Sequence, residues 1–77
     1  MTRGSLVWLP EHSGFRIVGV DATGRTARQL ALLGLFEHTE GRVLARDRDG
    51  AFVIEHENRR LRLPARLARC LRVLQKA

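Results

Sequence analysis

The sequence predicts an all-β protein with one short helix: a small barrel of about five strands, the α-helix following the first. Three observations predict it. Only one segment, Gly24 to Leu35, repeats its apolar residues with a helical period. Short runs that alternate with period two occupy most of the remaining chain. Tight-turn signals, Asp49-Gly50 and Glu57-Asn58, separate those runs. An open sheet of so few strands would leave two unpaired edges, and closure removes them.

Size and composition set the limits. Seventy-seven residues are expected to form a single domain, 1–77, that buries about 60–65% of its unfolded surface. An apolar content of 44% is enough for a core. The one cysteine, Cys70, excludes an internal disulfide framework and suits a reducing compartment. Leu6 to Leu9 is too short an apolar run for a secretory signal or a membrane span, so a cytoplasmic chain without membrane insertion is expected. The formal charge of +6 comes from 14 basic residues, all arginine except Lys76. It attracts acidic partners without choosing among nucleic acid, membrane and protein.

Residues 1–10 read as an apolar lead-in stopped by Pro10, and Glu11 to Gly14 as a turn. Gly14 to Val20 reads as a strand with Phe15, Ile17 and Gly19 on one face and Arg16, Val18 and Val20 on the other. Apolar residues on both faces make it central or highly curved, with Gly19 marking the bend. Asp21 to Gly24 is a loop, and Thr23 is a helix cap.

The helix buries Ala27, Leu30, Ala31 and Gly34, with Leu33 at the edge of that stripe. Gly34 ends it, and Leu35 folds back on the last turn. A helix of about ten residues is not stable alone in water and must pack on the strands.

Gly41 to Asp47 is the second strand, Ala51 to His56 the third and Arg59 to Leu63 the fourth. Pro64 to Arg69 is a helical turn opened by proline. Leu71 to Val73 closes as a fifth strand before Gln75-Lys76-Ala77 frays. Leu30, Ile17, Phe52, Ile54, Leu61 and Val73 are the expected core.

Three histidines, His12, His38 and His56, and Cys70 are the candidate metal ligands. Their spacing does not build a site. In a strand His56 points away from Glu55 and Glu57, and no paired ligands stand at zinc spacing. The histidines read as three separate surface residues, and no cofactor is expected beyond an adventitious divalent metal. Cys70 has no base or acid at readable spacing, and no phosphate-binding glycine loop occurs. No catalytic residue is therefore expected, and the chain reads as a non-enzyme. Arg16, Arg42, Arg46, Arg62 and Arg72 fall opposite the core positions of their strands. No aromatic residue interleaves with them to stack bases, which weighs against nucleic acid.

The segment Arg28-Gln-Leu-Ala-Leu-Leu-Gly-Leu35 resembles the Arg-Arg-Leu-x-x-Leu-Gly-Leu signature of the bacterial ferrous iron transport protein A family, FeoA. Phe15-Arg-Ile-Val-Gly-Val20 is similar to that family's first strand. Arg59-Arg-Leu-Arg-Leu63 resembles its Arg-x-Leu-x-Leu strand, and Leu67 through Leu71-Arg-Val73 its closing segment. The likeness spans roughly residues 6–75. The chain departs at Glu37-His38, where the family usually has Pro-Gly, and at Gly41, where it usually has an apolar residue. The hairpin Asp47-Arg-Asp-Gly50 is also shorter than the family's, so no role of that loop carries over.

The resemblance implies an SH3-like barrel without catalytic activity. Its partner would be the cytoplasmic, nucleotide-hydrolysing part of the membrane ferrous-iron transporter FeoB, with room for self-association. The same barrel occurs at the C-terminus of metal-dependent repressors, which makes a metal-sensing domain one alternative and a nucleic-acid-binding SH3-like module another. The partner-binding surface is expected on the outer side of the helix, where Arg25, Arg28 and Gln29 surround Leu32. An apolar centre with a basic rim is common in protein interfaces.

Overall fold

The alternating runs and part of the lead-in form six strands among the described residues. The computed structural model describes residues 3–76. In chain order the elements are β1 (Arg3–Ser5), a 3-10 turn (Leu6–Trp8), β2 (Gly14–Val20), α1 (Gly24–Leu32), β3 (Glu40–Arg46), β4 (Phe52–His56), β5 (Arg59–Leu63), α2 (Ala65–Ala68) and β6 (Leu71–Lys76).

The extra strand comes from the lead-in. Arg-Gly-Ser has no apolar alternation, so only its partner makes it a strand: Gly4 pairs with Val73 and Ser5 with Arg72 in β6. Ser5 Oγ then accepts from the Val7 N–H at 3.3 Å and starts the 3-10 turn, whose Leu6 is fully buried. Wedged between β1 and β2, β6 runs on to Lys76 instead of fraying after Val73. Ala77 lies outside the described residues.

All pairings are antiparallel, in the order β1-β6-β2-β3-β4-β5. β2 is internal, as its two apolar faces predict. Among the described residues the hydrogen-bonded ladder begins at β1 and ends at β5, so the expected small barrel forms with a gap between those two strands. The gap is bridged by α2 packing on the 3-10 turn. One core cluster gathers Phe15, Ile17, Leu30, Phe52, Ile54 and Val73, with Leu61 half-buried against it. Each such fully buried side chain is worth about 1.5–3 kcal/mol.

Two bulges change which way residues point. In β2 the register with β6 slips after Ile17: Ile17 faces Val73, but Gly19 faces Arg72 and Val20 faces Leu71. Gly19 therefore shares a face with Arg72, not with Phe15 and Ile17, and Val20 packs against the core. A Cβ on Gly19 would lie 2.1 Å from the Arg72 guanidinium. In β3 the slip falls between Val43 and Ala45, so Arg46 pairs with inward-facing Phe52. Its guanidinium sits 4.8 Å from the Phe52 ring centroid, so Arg46, though exposed, lies on the Phe52 side of the sheet. One inserted residue inverts every later side chain of a strand.

The helix ends as its sequence predicts. Gly34 has φ +79°, its N–H bonds the Ala31 carbonyl at 2.9 Å, and the Leu35 N–H bonds the Leu30 carbonyl at 3.0 Å. That is the double bond of a Schellman cap, and Leu35 is buried. The inward stripe is fully buried Leu30 with half-buried Ala27, Leu33 and Gly34 around it. Ala31, expected in it, is exposed, because the stripe centres on Leu30 and continues to Leu33. Thr23 occupies the N-cap position without a side-chain bond.

Candidate functional site

The five strand arginines hold loops in place. Arg42 Nη1 donates to the His12 carbonyl at 2.7 Å, fixing the turn before β2. Arg46 Nη2 donates to the carbonyls of Leu9 at 2.8 Å and Val7 at 3.3 Å, at the end of the 3-10 turn. Arg62 bridges Asp47 and Asp49 of the β3–β4 hairpin at 2.8 and 2.6 Å. Arg72 Nε lies 2.8 Å from Asp21, ahead of α1. Arg16 Nη2 donates to His38 Nδ1 at 3.2 Å, so that ring nitrogen carries no proton in this arrangement.

The pairing has electrostatic consequences. The Ala51 N–H, then Arg62, hold the Asp49 carboxyl below its ordinary range. Glu40 is lowered chiefly by its hydrogen bond to Lys76, at 2.9 Å. The bonds to Asp47 and Asp49 raise Arg62.

The candidate metal ligands are not brought together. His12 and His38 are exposed, each in a turn at positive φ, and Cys70 is half-buried with its Sγ donating to the Arg66 carbonyl at 3.5 Å. Among the described residues no group of three His, Cys, Asp or Glu side chains could hold a metal ion. His56 corrects the expectation of three surface histidines: it is 2% exposed. Alternation with Phe52 and Ile54 turns it inward, a signal legible in the sequence. Its Nε2–H donates to the Leu33 carbonyl at 3.3 Å, satisfying one of the carbonyls left unpaired at the end of α1, and Nδ1 has no partner among the described residues. The ring lies against Gly34, where a Cβ would approach Cε1 to 3.2 Å.

Two surface clefts flank the strands. One, of about 370 Å³, lies where β2, β3 and β6 meet the β4–β5 turn and is walled by Glu40, Glu55, Glu57, Arg42 and Lys76. Its floor explains Gly41: a Cβ there would come within 2.7 Å of the Glu55 carbonyl and 2.8 Å of Phe15 Cζ. The other lies between Arg16, His38 and Arg72 over Val18 and Leu74. Both are open and are bounded largely by groups already paired within the chain.

The outer face of α1 differs. Leu32 is 82% exposed, and Arg25 and Arg28 are exposed with no side-chain hydrogen bond or ion pair to another described residue. Gln29 is half-buried and accepts a bond from Arg66 Nη1 of α2 at 3.4 Å. Neither Arg66 nor Trp8, which is 79% exposed, was singled out from sequence as part of a surface. The only available signal was that the segments around them contain no acid. No described helix is long and apolar enough to cross a membrane.

No family model matches the chain, and no curated protein sequence matches it. Solved structures do. A crystal structure of the iron uptake regulatory protein FeoA superposes with a TM-score of 0.87 at 17% identity, covering 99% of this chain and 100% of that one. A FeoA-like protein from Clostridium acetobutylicum gives 0.86 at 18% identity, covering 96% and 88%. A manganese-dependent transcriptional repressor gives 0.89 at 19% identity, and the chain spans 42% of its length. The chain has the SH3-like barrel fold of FeoA proteins, a fold also present within metal-dependent repressors.

Proposed function

We propose that this chain is a single-domain, non-enzymatic, cytoplasmic accessory protein of ferrous iron uptake. It acts by protein–protein contact with the cytoplasmic part of the transporter FeoB. The observation that carries the reading is the outer face of α1: an apolar residue, Leu32, 82% exposed, beside two arginines whose side chains have no partner among the described residues. Such a centre and rim suit docking, and nothing about it suits catalysis. The likeness of fold to FeoA proteins, two of them covered to 100% and 88% of their length, supports the iron context.

Calorimetric titration of the chain with the isolated GTP-hydrolysing domain of FeoB tests it directly. Saturable binding that Leu32→Glu weakens supports the reading; absence of binding overturns it. The equally close fit to repressor domains favours one second reading, a metal-sensing regulatory domain. Stoichiometric heat on anaerobic titration with ferrous ion, without FeoB binding, would favour it instead.

A further inference from the structure

We infer that the outer face of α1 is one end of a longer docking surface. It crosses α2 to Trp8, and its occupant is a folded protein presenting carboxylates around an apolar socket. The inference rests on the docking reading above and extends it to residues that reading does not use.

Continuity comes first. The Arg66–Gln29 hydrogen bond at 3.4 Å joins α2 to α1, and α2 packs on the 3-10 turn that carries Trp8. Three elements far apart in the chain thus adjoin one another.

Charge comes second. The 3-10 turn, α1 and α2 contain no acidic residue. All eight Asp and Glu lie in the strands β3 and β4 or in loops. Against them the helical side sets Arg25, Arg28, Arg66 and Arg69, all exposed. The only lysine, Lys76, is paired with Glu40. Arginine forks bind carboxylates in two-pronged fashion, so four of them on or beside elements that carry no acid select an acidic surface.

Apolar chemistry comes third and separates a protein from a membrane. Trp8 and Leu32 are two of the three large apolar residues exposed among those described. The polar Gln29–Arg66 bridge stands on α1 and α2, between the two elements that carry them. Bilayer insertion needs a continuous apolar face, whereas isolated anchors in an arginine-rich surround are what protein sockets receive. The occupant is a protein.

The probe is the GTP-hydrolysing domain of FeoB, titrated calorimetrically into the wild-type chain and into Leu32→Glu, Trp8→Ala and Arg66→Glu. Each variant is first checked for an unchanged melting temperature. Trp8→Ala and Arg66→Glu are each expected to weaken binding by about tenfold, and Arg66→Glu to flatten its salt dependence. If Leu32→Glu weakens binding while both others bind like wild type, the surface stops at α1: the inference falls and the docking reading stands. If the wild-type chain does not bind, both fall. Trp8-dependent capture by phosphatidylglycerol vesicles, with FeoB binding unaffected by Trp8→Ala, would overturn the inference in favour of a membrane. Should Trp8→Ala unfold the chain, Arg66→Glu alone decides.

Discussion

Arginines on the strands and arginines on the helical side carry the same charge and do different work. Arg42, Arg46, Arg62 and Arg72 each reach a backbone carbonyl or carboxylate of a neighbouring loop, and Arg16 reaches His38. Arg25 and Arg28 reach no other described residue. A cation already paired within its own chain offers little to a partner, since binding would have to break the internal pair first. Net charge counts the two populations alike, and only their surroundings separate structural from available charge.

Four experiments would break or sharpen that division. The largest effect is expected where α1 meets the strands. Leu30 is fully buried and Leu32, two residues on, is 82% exposed. Leu30→Ala should cost about 2–4 kcal/mol in denaturant unfolding. A loss below about 1 kcal/mol would mean that the helix barely contributes to the core.

Next in size is Gly41→Ala. The added methyl would meet the Glu55 carbonyl and the tip of Phe15, and the carbonyl belongs to a paired strand that cannot give way cheaply. A loss of about 1–3 kcal/mol is expected from overpacking. Combining it with Phe15→Leu should recover part of that loss if the ring is the obstacle, and none if the backbone is.

Smaller still is the response to acid. Asp49 and Glu40 have folded pKa values below their ordinary ones. Their contribution is present above the ordinary carboxylate range and is lost as pH falls through the folded values. Melting temperature should therefore decline on acidification below that range, and Asp49→Asn should shallow the decline. An unchanged slope would show that the Asp49 carboxylate, with its bonds to the Ala51 N–H and Arg62, contributes nothing to stability, as many exposed pairs do not.

The smallest effect on stability is expected for Leu32→Glu, within about 0.5 kcal/mol of wild type. Its consequence should be confined to binding. If it unfolds the chain, the helical side is not free, and the contrast between the two arginine populations fails with it.

The sequence by itself determined whatever depends on a few neighbouring residues. The helix at Gly24–Leu32, its glycine cap and the returning Leu35 follow from spacing and from the positive φ that Gly34 supplies. Gly50 and the pair Glu57-Asn58, at φ +51° and +63°, make the two hairpin turns for the same local reason. The helical wheel likewise put Leu32, Arg25 and Arg28 on one free face, which is half of the candidate surface.

Tertiary structure decided the rest. The phase of β2 beyond Ile17 and of β3 beyond Val43 depends on where the partner strand admits an extra residue, so the directions of Gly19, Val20 and Arg46 could not be read from alternation alone. β1 is a strand only because β6 offers it an edge. Arg66 meets Gln29 across 37 positions of sequence, and no periodicity reports such a meeting. Local interactions are written within a turn or two of chain. Register and surface continuity are set by which edges and faces remain free once the core has formed.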